Sequence, residues 1–157
     1  MSASAAFAAF TPQARVGFRV GDQWEPSVAA DGFGHVYVLY PQYGVVPGCA
    51  SCPLPSMTLV ISGDNGSSWR APRLITPPGT GEYDPQIVVD PVDRRTVYAA
   101  WVQNNKNDIV LAKSVDFGQS WSIVVAARYH DSDKPILVVR GNLVYIAFNQ
   151  AQTLWVT

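Results

Sequence analysis

Clustered basic residues are missing from this chain. Its 11 lysines and arginines are scattered among 12 acidic residues, giving a formal charge of −1. Without a run of Lys and Arg to neutralise phosphates, nothing points to a nucleic-acid partner. Long apolar runs are missing too, since none approaches the roughly 20 residues needed to cross a bilayer as a helix. No stretch of a dozen residues holds a 3.6-residue period, so helix is expected to be close to absent. The chain is nonetheless 48% hydrophobic and only 15% charged, which places it among folded rather than disordered sequences. Its opening, Met1 to Phe10, is small and apolar but lacks a basic n-region, so residues 1–14 read as a flexible leader rather than a signal peptide.

What is present is short β-rich runs punctuated by 12 Gly and 12 Pro. Two octets stand out: Ser62-Gly63-Asp64-Asn65-Gly66-Ser67-Ser68-Trp69 and Ser114-Val115-Asp116-Phe117-Gly118-Gln119-Ser120-Trp121. Both read S-x-D-x-G-x-x-W, and each lies between two apolar, β-branched runs, as a hairpin turn does. The residue types suit such a turn. The Ser and Asp side chains can accept hydrogen bonds from unpaired backbone N–H groups, and Gly66 and Gly118 permit positive φ. Trp69 and Trp121 supply apolar area just beyond it.

A second repeat frames the first. Pro26 to Asp31 aligns with Pro85 to Asp90 and Pro135 to Arg140, at offsets of 59 and 50 residues. Each copy leads into a run that is apolar at successive positions: Val36 to Tyr40, Val97 to Trp101 and Val144 to Phe148. Such strands must be covered on both faces, and the connections are too short for crossover helices. The expectation is therefore an all-β chain of antiparallel meanders stacked face to face, with an added strand at Arg15 to Val20.

The octets resemble the Asp box, or BNR repeat, of the sialidase-like β-propellers. Their Asp64 to Asp116 spacing of 52 residues is close to the roughly 40–50-residue period of blade repeats. The resemblance implies a partial propeller over residues 15–157, with four-stranded antiparallel blades at 26–76 and 85–127 and an incomplete third at 135–157. It would be part of a six-bladed ring, completed by missing blades of a longer chain or by a homodimer partner. In that family the boxes are structural turns, the ligand face lies opposite them, and the proteins are usually extracellular or periplasmic.

Strand parity sends Gly21 to Glu25, Pro41 to Ser56, Pro77 to Asp84, Asn104 to Asp108 and Tyr129 to Lys134 to one face. The candidate ligand-binding residues are those beside each blade-opening proline, Glu25, Asp84 and Lys134, with Trp24, Tyr83 and Asn105 around them. Glu25 and Asp84 invite a glycosidase acid/base reading, for which the sequence supplies no separation. A sialidase would also need an arginine set. No R-I-P-like motif is present, and neither Arg19 nor Arg128 aligns with one, so no catalytic residue is carried over. The functional expectation is a non-catalytic or incomplete sialidase-like propeller that binds carbohydrate or protein. Its alternative is a portion of an exo-sialidase-type hydrolase with its catalytic residues mostly elsewhere.

Cys49 and Cys52 form a CxxC in a Pro-rich stretch. No helix N-terminus is there to activate a thiol, and a local disulfide is expected if the protein is exported. A zinc site would need two more ligands; His35 and His130 lie on different blades, and no metal or other cofactor is expected. His130-Asp131-Ser132 is adjacent in sequence but lacks a nucleophile turn, so it is not read as a triad.

Overall fold

The computed structural model describes residues 12–75 and 77–157. The strand proposed from the sequence over 15–20 begins just inside this range, and most of the leader lies outside it. Among the described residues the secondary structure consists of 12 strands: β1 (Asp22–Gln23), β2 (Ser27–Ala30), β3 (Val36–Tyr43), β4 (Ser56–Ser62), β5 (Arg73–Leu74), β6 (Tyr83–Val89), β7 (Val97–Gln103), β8 (Asp108–Ser114), β9 (Ser122–Arg128), β10 (Ser132–Arg140), β11 (Leu143–Gln150) and β12 (Thr153–Val156). They form three antiparallel sheets. The first orders β1-β3-β4-β5 with β2 also on β3, the second β6-β7-β8-β9, and the third β10-β11-β12.

The doubly apolar middle strands have the expected role. Tyr37, Leu39, Met57, Leu59 and Ile61 of the first sheet pack against Ile87, Val97, Ala99, Trp101, Val110 and Ala112 of the second. The other face of the second sheet, with Tyr98, Ala100, Val102 and Ile109, packs on Leu137, Ile146 and Phe148 of the third. Strands β7 and β8 are therefore covered on both sides. The third sheet is not: Ile136, Val138, Leu143, Tyr145, Leu154 and Val156 are all exposed.

Arg15 to Val20 does not form the expected strand. Its polar groups are taken by side chains instead: the Phe18 N–H donates to the Tyr40 hydroxyl, and the Phe18 and Val20 carbonyls accept from Gln23 and Gln42. Gln42 is fully buried and also donates to the Tyr43 and Val45 carbonyls. One glutamine thus pins this segment and the following loop together. The strand forms later, at Asp22–Gln23; these residues pair with Tyr43 and Gln42. β5 is only two residues long. Pro72 precedes it and Pro77-Pro78 follow, none with an N–H to donate to a ladder.

The two octets are superimposable in chemistry. Ser62 Oγ donates to Asp64 Oδ1 at 2.8 Å and accepts from the Gly66 N–H, while Asp64 accepts from the Ser68 N–H and hydroxyl at 2.8 and 2.6 Å. The corresponding bonds of Ser114, Asp116, Gly118 and Ser120 are 2.7, 2.8, 2.9 and 2.6 Å. The bond from Ser68 leads in holding the Asp64 carboxyl at about 2. In Asp116 burial works against the charge, and the Ser120 and Ser114 bonds outweigh it to the same value.

The octets differ in what lies above them. A Cβ on Gly118, at φ +76°, would sit 3.1 Å from Ile61. Phe117 stacks on His35 at 4.5 Å, and Trp121 packs on the first core. The first octet has Asn65 in place of Phe117 and an exposed Asp64. Asp116→Ala is accordingly expected to cost about 1–2 kcal/mol through lost acceptors at a turn under a neighbouring sheet, and Asp64→Ala less. Urea unfolding of both variants checks this; a larger loss in Asp64→Ala contradicts the assignment.

Candidate functional site

The first strand of every sheet breaks at the same point. β1 and β2 are one line interrupted at Trp24-Glu25-Pro26, β6 shifts register between Tyr83 and Gln86, and β10 between Asp133 and Ile136. At each break the residue before proline is left-handed: Glu25 at φ 48°, Asp84 at 53° and Lys134 at 47°. Left-handed backbone costs a non-glycine residue roughly 1–2 kcal/mol, and a residue before proline is already restricted. Three such outliers at equivalent positions turn three charged side chains toward one another.

They meet. Lys134 Nζ lies 2.7 Å from Glu25 Oε1 and also donates to Asp84 Oδ1, while the Lys134 N–H reaches Asp84 Oδ2 at 3.5 Å. One ammonium from the third sheet thus clasps a carboxylate from each of the other two. Asp84 is 6% exposed, so this is more than a surface pair. The hydrogen bond from Lys134 holds Glu25 below the ordinary carboxylate range, and Asp84 followed by Glu25 holds Lys134 above the ordinary lysine range. These three residues, their prolines, Gln86 and Ile136 line a pocket of about 190 Å³.

Beside the pocket runs an aromatic arc. Trp24 meets Tyr43 edge-on at 6.3 Å, and Tyr43 meets Tyr83 at 6.4 Å. Trp24 is 61% exposed, whereas burial, followed by the charges of Glu25, Tyr83 and Asp84, pushes the Tyr43 hydroxyl up. Lys106 joins from the tip of the β7–β8 hairpin, held to Asp133 at 2.8 Å. Sequence reading missed Tyr43 and Lys106. Tyr43 ends a strand, and Lys106 owes its place to the docking of loop 129–134, whose Tyr129 and Ser132 N–H groups bond the Asn107 and Lys106 carbonyls.

Asn105 is not among the residues lining this pocket; its amide lies against Gly81. Arg128 is solvent-exposed beside Asp108, 3.7 Å away, and Arg19 is exposed, so neither lines the pocket either. Cys49 and Cys52 are joined in a disulfide. His35 Nδ1 lies 2.7 Å from Asp31, and His130 pairs with Asp131 in solvent. The Ser132 hydroxyl is spent on the Tyr129 carbonyl at 2.6 Å, which leaves no nucleophile in that stretch.

The arrangement bears on acid–base chemistry. A general acid needs a carboxyl raised toward neutrality, and Glu25 is displaced the other way. The space between Glu25 and Asp84 is filled by an ammonium, where a glycosidase would keep a sugar or a water.

The fold is sialidase-like. It aligns with a solved structure, Hadza microbial sialidase Hz136, at a TM-score of 0.59 and 16% sequence identity, over 86% of this chain and 31% of that one. The chain therefore spans about a third of that neighbour's length. No family model matches the sequence. No curated protein matches it either. Among the described residues no helix is long and apolar enough to cross a membrane.

Proposed function

We propose that this chain is a non-catalytic portion of a β-propeller whose three sheets are blades, and that the face opposite the two Asp boxes binds a glycan. The observation that carries this reading is the Lys134 clasp on Glu25 and Asp84 beside the Trp24–Tyr43–Tyr83 arc. A shallow pocket bordered by aromatic faces and fixed polar groups suits a ligand that is apolar on one side and hydroxyl-rich on another. At about 190 Å³ it is smaller than the roughly 300–1,000 Å³ of small-molecule clefts, so it would take one edge of a sugar while the arc supports the rest. The exposed apolar face of the third sheet is the surface that a further blade would cover. An oxidising extracellular setting fits the Cys49–Cys52 disulfide.

The alternative is that the chain contributes blades to an exo-sialidase whose arginines and nucleophile lie in other blades. The neighbour, a sialidase about three times as long as the aligned part, favours keeping it. Both readings predict that the chain alone releases no fluorophore from a fluorogenic sialoside, because no arginine lines the pocket. Turnover above the blank that Glu25→Gln and Asp84→Asn abolish would overturn the non-catalytic reading of these residues.

A further inference from the structure

We infer that the glycan unit taken by this face carries no acidic group, and that an amino sugar is bound in preference to a neutral one. The inference rests on the glycan reading of the face and names its ligand class. Its starting point is how the hydrogen-bonding capacity is already spent. Lys134, the one cation lining the pocket among the described residues, has its ammonium committed to Glu25 and Asp84, and Lys106 is committed to Asp133. An ammonium has three protons and no lone pair, whereas each carboxylate has about four acceptor sites. Most of the unspent capacity open to a ligand is therefore acceptor capacity on Glu25, whose side chain is 39% exposed where that of Asp84 is 5%, together with the Gln86 side chain.

Charge and shape agree with this. The constellation holds three carboxylates, Glu25, Asp84 and Asp133, against two ammonium groups, Lys106 and Lys134. It therefore carries one net negative charge and repels an acid. Trp24 adds a second, independent contribution: its indole is 61% exposed and meets Tyr43, whose hydroxyl lies within reach of the Glu25 and Asp84 charges. An exposed indole face attracts an ammonium through its quadrupole and gives a carboxylate no such attraction. A sugar amine placed between Trp24 and the carboxylates would meet favourable electrostatics from both.

Calorimetric titration of the intact chain tests this with three probes: a β-1,4-linked glucosamine oligosaccharide, its fully N-acetylated counterpart and sialyllactose. The glucosamine oligomer is expected to bind about tenfold more tightly than the N-acetylated one at low salt. That advantage should shrink as salt is raised, and sialyllactose should give no measurable heat of binding. Glu25→Gln, which also loosens the clasp on Lys134, should weaken both oligomers but the glucosamine one far more, so that most of the amine advantage disappears. Trp24→Ala, at an exposed position where folding is not at stake, should weaken both. Sialyllactose binding as tightly as the amino sugar would overturn the inference while leaving the glycan reading intact. An amine advantage unchanged in Glu25→Gln would likewise overturn it, as a non-specific charge effect. Silence of all three probes would remove the glycan reading and the inference with it.

Discussion

Trp101→Ala is expected to lower the unfolding free energy by about 3–5 kcal/mol, the range for deleting a fully buried large aromatic. Trp101 is 0% exposed at the centre of β7, where the first and second sheets face each other with Met57, Leu59, Val110 and Ala112. The sheets reach Trp101 from both sides of their interface, so little can collapse into the space it leaves. For a chain of this length each kcal/mol is worth roughly 2–4 °C in Tm, and the loss should be plain in a thermal melt. Trp101→Phe keeps most of the volume and should cost clearly less. A Trp101→Ala melt within a few degrees of the parent would mean that the two sheets do not share this core.

The second large effect is on pH. Glu82 is fully buried, accepting from the Met57 N–H at 2.5 Å and the Gly79 N–H at 2.8 Å, and it ties the β5–β6 loop to β4. The Trp101 indole N–H, buried without a partner in good hydrogen-bond geometry, faces the same carboxyl and favours its charged form. Burial outweighs these donors and pushes Glu82 up to about 7, from 4.5 in the unfolded chain. Below 4.5 the group is protonated in both states; between 4.5 and about 7 the folded state alone keeps the proton. Its contribution is therefore fully present below 4.5 and is lost as pH rises through about 7, by about 3 kcal/mol at most.

The octet aspartates act in the opposite sense. Held at about 2, they stabilise the fold above the ordinary carboxylate range and release that stability as pH falls toward 2. Stability should accordingly be greatest near pH 4–5, lower than the pH 5–8 range common among proteins. Glu82→Gln puts an amide NH₂ against one of the two backbone donors, so it should be less stable than the parent at acid pH and show no decline between 4.5 and 7. Chemical denaturation across that window reads both curves. A parent curve flat or rising from 4.5 to 7 contradicts the role given to Glu82.

How much of this was legible in the sequence depends on how local the cause is. The octets were legible because their hydrogen bonds close within four residues, so that Ser, Asp and Gly at fixed offsets carry the whole turn. The pre-proline positions were legible as a set, because three copies of one strand opening must place equivalent residues at equivalent points. Their left-handed backbone and the clasp itself were not, since residues before proline ordinarily stay extended. The segment 15–20 misled because Val16, Phe18 and Val20 alternate as a strand does, while its carbonyls are claimed by Gln23 and Gln42. Asn105 misled in another way: its loop is polar and reaches the right face, but the tip's left-handed turn at residues 104–106 puts Lys106 toward Asp133 and Asn105 toward Gly81.

The face opposite the octets, where three strand openings converge on Lys134, is the proposed ligand face. Amide and indole NMR shifts of the isotopically labelled chain, followed during titration with the glucosamine oligosaccharide, test it most directly. The predicted result is a contiguous set of shifts at Trp24, Glu25, Tyr43, Tyr83, Asp84, Gln86 and Lys134, with the octets at 62–69 and 114–121 unmoved. Shifts centred on the octets, or on the exposed outer face of β10, β11 and β12, would contradict it.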